Sequence, residues 1–199
     1  SGTGVVDIEE FDAVTLTSVT TNDGSITVAA GGQITATVVD SSATDDDSND
    51  ITLTSTGAGI EAQLVVAGNS NDVTLDDQGG AITENGDAGA DVVGDVLTAD
   101  AAGSVTLDTT VASADISTSA AGAVDIDETD AIVLSTVDTS DGSITVDAGG
   151  QITASSVLSL TDSDTNDINL TTTAGDILVA TVTAGIAGDA TLNAAANIT

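Results

Sequence analysis

One phrase of twelve residues, said twice, constrains this chain more than anything else in it. Gly24-Ser25-Ile26-Thr27-Val28-Ala29-Ala30-Gly31-Gly32-Gln33-Ile34-Thr35 returns 118 positions later as Gly142-Ser143-Ile144-Thr145-Val146-Asp147-Ala148-Gly149-Gly150-Gln151-Ile152-Thr153. Each copy holds two short alternating apolar runs joined by a corner of small residues that ends in Gly-Gly. Alternation over a few residues predicts a half-buried strand, and paired glycines predict a bend that no side chain could follow. The unit is strand, corner, strand.

A shorter rhythm runs beneath the phrase. Strand-like starts fall at 5, 25, 50, 72, 104, 123, 143, 167 and 189, so successive spacings are 20, 25, 22, 32, 19, 20, 24 and 22. One strand signal per 19 to 25 residues is what stacked supersecondary units produce. The interval of 32 spans Glu84 to Gly89 and reads as an inserted loop or an extra half-turn. The first four starts recur at offsets of 118, 118, 117 and 117, and 22 of 32 positions agree between Gly4–Thr35 and Gly122–Thr153. That identity marks a super-repeat of approximately 118 residues, with copy one at 4–121 and a partial copy two at 122–199.

Helices find no support, because no stretch carries apolar residues at i, i+3, i+4 and i+7. Gly, Thr, Asp and Val also sit low on the helix scale. A sandwich fits poorly, since the closest resemblance is always one cycle away and not across a hairpin turn. The expected fold class is all-β: a parallel β-helix (β-solenoid) of about nine coils, continuous over 1–199, with a loop inserted at 84–91. Ile26 and Val28 should point inward and Thr27 outward. At ~4.8 Å per rung, nine coils make a rod of roughly 40 Å. Strand edges at its two ends would be unpaired and would invite stacking, by flanking repeats or by another copy.

Composition agrees. The interior must be built from Val, Ile, Leu and Ala, because Phe11 is the sole aromatic and Met, Trp, Tyr and Cys are absent. Small and β-branched side chains suit a thin, pleated interior better than a wide one. A mean hydropathy of +0.27 and abundant Val, Ile and Thr argue against disorder.

Charge narrows the function. There are 33 acidic residues and no Lys, Arg or His. Nucleic acid and anionic membrane surfaces are excluded as partners, since both need cationic side chains. Charge of one sign in a compact body repels itself and calls for screening or bridging by cations. No apolar run approaches the ~20 residues of a spanning helix. Ser1 opens no signal peptide, so the chain reads as a processed product or a segment of something longer.

Gly-Ser-Ile-Thr-Val, Ala-Gly-Gly-Gln-Ile-Thr and Asp76-Asp77-Gln78-Gly79-Gly80-Ala81-Ile82-Thr83 together cover the rhythm of nearly the whole chain. In these phrases the chain resembles the β-strand-repeat regions of large bacterial surface proteins, the haemagglutinin-like and autotransporter-adhesin-like class. The resemblance implies an extracellular, extended protein that is structural or adhesive.

The sharpest local chemistry is Asp45-x-Asp47-x-Asn49-Asp50, repeated as Asp162-x-Asp164-x-Asn166-Asp167. Alternate oxygen ligands over a short loop are how hard cations such as Ca2+ are held. Two features depart from the usual calcium loop: Asp replaces the glycine after the third ligand, and no Glu follows at the twelfth position. The competing reading is a solvated corner, because Asp and Asn hydrogen-bond their own backbone at turns. Catalysis is not expected, as His, Lys, Cys and Tyr are all missing. Carboxylate-pair glycoside hydrolysis is the sole enzyme chemistry left open. The expected function is a structural spacer or filament of a microbial cell surface. An adhesin that meets a glycan or protein through 84–91 is the rival reading.

Overall fold

The computed structural model describes residues 4–44 and 48–199. Among these residues there is no helix, and every pairing between strands is parallel. The chain winds through three strand faces per coil, about nine coils in all.

The first face stacks Val6, Ile26, Ile51, Val73 and Leu97 in one column. Leu97 continues to Ala114, and two residues along the same strands Ala99, Ile116, Val137, Val157 and Val182 complete the face. On the second face Val14, Ile34, Ile60, Ile82, Val105, Val124, Ile144, Ile168 and Ala190 form a single column from end to end. The third face runs Val19, Val39, Val65, Val92 and then Thr109. Beyond the bends of the long strand Val105–Ala121 it resumes as Ile132, Ile152, Ile177 and Ile198.

Alternation does what the sequence predicts. Across Ile26–Ala30, Ile26 and Val28 are fully buried and Thr27 is exposed. Each coil contributes a thin layer of aliphatic side chains, and Phe11 stays outside at 89% exposure. The partly buried apolar residues that pack against this core belong to the two ends. Val6, Ile8, Val14 and Val19 lie on the first coil, and Val179, Val182, Leu192 and Ala194 on the last. Their counterparts one coil inward, Ile26, Val28, Ile34 and Val39, are fully buried. The difference is one missing neighbour.

The Gly-Gly corners are required by close approach and not by dihedral angle. Neither Gly31 nor Gly149 has a positive φ. A Cβ on Gly31 would lie 2.0 Å from the Phe11 carbonyl oxygen, and one on Gly149 would lie 1.9 Å from that of Thr129. Consecutive coils touch there backbone to backbone.

The super-repeat holds a feature that the sequence spacing hides. Ile26 belongs to the first face, whereas Ile144, its equivalent 118 residues on, belongs to the second. Copy two is therefore turned by one face relative to copy one, after five full coils and a third. The interval of 32 is the seam where this happens. It comprises the 24-residue coil from Val73 to Leu97 and the eight residues that carry the chain to Val105 on the next face. The strand-corner-strand phrase is tolerant of this because it specifies a bend between two faces, not a particular face.

Candidate metal centre

The first Asp/Asn loop sits where the chain passes from the third face to the first, and the second where it passes from the first face to the second. Asp45 and Asp47 lie outside the described residues. Asn49 is fully buried, and its Oδ1 accepts the N–H of Gly24 at 2.6 Å while its Nδ2 donates to the Thr44 carbonyl at 2.5 Å. Its backbone N–H donates to Oδ1 of Asn71 in the next coil at 3.0 Å. Asp50 Oδ1 accepts the N–H of Asp72 at 3.0 Å.

The second loop repeats the arrangement. Asp162 Oδ1 accepts the N–H groups of Ile186 and Ala187 at 2.8 and 2.6 Å. Asn166 is buried and donates through Nδ2 to Asp141 Oδ1 at 2.8 Å and to the Thr161 carbonyl at 3.1 Å. Asp167 Oδ1 accepts the N–H of Asp189 at 2.9 Å, and Asp164 is exposed. In each loop these side chains brace one coil against the next through backbone N–H and C=O groups. Asn49, a buried amide satisfied at both ends, is a corner bracket with its acceptor oxygen already used, and Asn166 braces its corner through Nδ2.

A different set of acids converges. Glu84, Asp91 and Asp108 each place a carboxylate oxygen within 4.8 Å of the other two. Glu84 and Asp91 bracket the excursion between the second-face strand Ile82–Thr83 and the third-face residues Val92 and Val93. Asp108 stands on Val105–Ala121, one coil further on. The excursion is tightly self-bonded: Glu84 Oε2 accepts the Gly86 N–H at 3.1 Å, and Asp87 Oδ1 accepts the Gly89 N–H at 2.8 Å. The Gly89 N–H, and then the amide of Asn85, hold the exposed Asp87 carboxyl below its ordinary range.

Asp91 is the unusual member. Its backbone is fixed on both sides, donating to the Asp108 carbonyl at 2.7 Å and accepting from Val65 at 2.6 Å. Its side chain is 1% exposed. Oδ2 accepts the Asp108 N–H at a long 3.4 Å, and Oδ1 is buried with no hydrogen-bond partner. Burial pushes this carboxyl up to about 7. The Asp108 N–H opposes the shift, and the charges of Glu84, Asp108 and Asp87 add to it. Burial likewise raises Asp108, with Glu84, Asp127, Asp87 and Asp125 adding to it.

Glu128, one coil above, shows how this fold satisfies a buried acid that needs no further partner. Its Oε2 accepts the Thr109 hydroxyl at 2.9 Å and the Val111 N–H at 3.0 Å, and its Oε1 accepts the Asp130 N–H at 3.1 Å. Asp77 also carries a partnerless buried oxygen, Oδ2. No pair of further acids among the described residues converges on it.

The sequence signal for Asp91 lay in register. The residues whose carbonyls receive the equivalent third-face N–H are Val38, Leu64 and Asp91, so one coil has an acid where two have aliphatics. Counting from the second-face strand does not align them, because the excursion sets Val92 ten residues after Ile82 whereas Val65 stands five after Ile60. Comparison with protein-family models, with curated proteins and with solved structures gives no match.

Proposed function

We propose that this chain is a structural element: an acidic, extracellular β-solenoid that acts as a spacer or filament of a microbial surface structure. The observation that carries the reading is the unbroken second-face column, nine aliphatic positions from Val14 to Ala190 in one parallel register. Such a column transmits tension and compression along one axis through ladder hydrogen bonds and core packing, and each coil needs only its neighbours. The strands at both ends have one partner each, and the half-buried aliphatics there fit a further coil of the same pitch. That coil is either flanking sequence or a second copy.

The exterior fits an environment rich in cations. Asp108, Asp127 and Asp147 stack in register on successive coils, as do Asp76 and Asp100. Like charges one rung apart repel unless screened. A chain without Lys or Arg also gives trypsin-like proteases no site, which suits a protein left outside the cell. The adhesin reading is favoured by one observation, the fully exposed stretch 85–89 of the excursion. Electron microscopy of the purified chain with millimolar calcium tests the structural reading: uniform-width filaments or short rods support it, and compact round particles sink it. Adhesion that vanishes on deletion of 85–89 would shift the weight to the rival.

A further inference from the structure

We infer that Glu84, Asp91 and Asp108 form a binding site for one hard divalent cation, calcium by ligand type and spacing, which pins the 84–91 excursion to the coil above it. The site stands on the geometry of the excursion and not on the mechanical role proposed above.

Three observations meet here. The first is convergence: three carboxylate oxygens lie within 4.8 Å of one another. Two oxygens bound to one calcium at about 2.4 Å cannot be further apart than about 4.8 Å, so the set meets the distance condition for sharing one ion. The second is the orphaned Asp91 Oδ1, buried and without a partner, whereas the buried acid Glu128 on the next coil is bracketed by three hydrogen bonds. An unpaired buried carboxylate is costly and is normally neutralised or metal-bound. The third is the absence of any internal counter-charge, since the sequence has no Lys, Arg or His. Whatever neutralises this cluster at neutral pH comes from outside the chain.

The ligands are all oxygen, which selects hard cations over zinc or copper. Asp87, Asp125 and Asp127 add negative potential around Asp108 without joining the cluster. A recess of about 140 Å3, walled by Ala88, Gly89, Asp108 and Asp127, opens beside it and offers a route for the ion and for water ligands.

The test is calorimetric titration of CaCl2 into the metal-free full chain at neutral pH, with melting followed by circular dichroism. Wild type should show one saturable site above a weak background from the other acids, and its melting temperature should rise with calcium. Asp91→Asn keeps shape and removes charge. It should weaken that site by roughly tenfold or more and, in chelator, melt no lower than wild type. Glu84→Gln reads the same loss from the loop side should Asp91→Asn misfold. Asp164→Asn, in the exposed corner, should leave the saturable site unchanged. Magnesium should bind more weakly, because it tolerates less distortion from a small octahedron. Equal calcium affinity in wild type, Asp91→Asn and Glu84→Gln, or uptake without saturation, overturns the inference.

Discussion

The glycine column at the corner between the first and second faces makes the stacking quantitative. Gly103, Gly122 and Gly142 lie on successive coils, and a Cβ on Gly122 would sit 2.4 Å from the Gly103 carbonyl oxygen. Ordinary contact begins near 3.4 Å, so Gly122→Ala must open the two coils by about 1 Å. Across this gap the ladder is fixed by Ala120 N–H to the Ala102 carbonyl at 3.1 Å and Val105 N–H to the Ala123 carbonyl at 2.9 Å, and it continues as Val105–Thr109 pairs with Val124–Glu128. Stretching two or three such bonds at about 1 kcal/mol each costs about 2–3 kcal/mol. The alanine returns about 0.4–1 kcal/mol by restricting the unfolded chain. A net loss of about 2 kcal/mol lowers the melting temperature of a chain this size by about 4–8 °C. Gly4→Ala is the control, since nothing lies within 4 Å of the added carbon. Thermal melts of both variants decide the matter. Equal melting of Gly122→Ala and Gly4→Ala would mean that the coils do not touch at this corner.

Three further outcomes follow from the same geometry. In chelator, stability should fall as pH rises from 5 to 8. Asp91, Asp108, Asp125, Asp127, Asp138 and Glu128 are all raised by burial, so each favours the fold while protonated and loses that contribution as pH climbs, through about 7 for Asp91. A melting temperature that rises over this range contradicts the assignment. Deleting 124–143 removes one coil in register, because Val124 and Ile144 occupy the same column. The shortened chain should keep its β-sheet spectrum and a cooperative melt, whereas deleting 124–133 should abolish the melt. Asn49→Ala strands the Gly24 N–H and the Thr44 carbonyl and should cost about 2–3 kcal/mol, read by urea unfolding, where a loss under about 0.5 kcal/mol would dismiss the bracket.

The fold was legible because its signals are local and repeated. Ile26-Thr27-Val28 declares which side chains face in, Gly31-Gly32 declares a corner, and the cycle length declares what stacks on what. The turning of copy two by one face was not legible, because identical strand-corner-strand phrases serve any pair of faces. Only pairing shows that Ile26 and Ile144 are on different ones. The Asp162 and Asn166 loop is legible as a place from its oxygen ligands, and coil-to-coil hydrogen bonds use one carboxylate oxygen of Asp162 and one of Asp167. Glu84, Asp91 and Asp108 escaped because they are separated by seven and seventeen positions in sequence. Their convergence depends on an excursion closing over the next coil, which periodicity cannot express.

The axis of stacking can be measured by X-ray diffraction from a shear-aligned, concentrated solution of the chain in calcium. Stacked coils place the ~4.8 Å strand spacing along the long axis of the particle. A strong 4.8 Å reflection parallel to the alignment direction is expected. The same reflection perpendicular to it, or particles that do not align at all, would mean that this chain does not extend by coil upon coil.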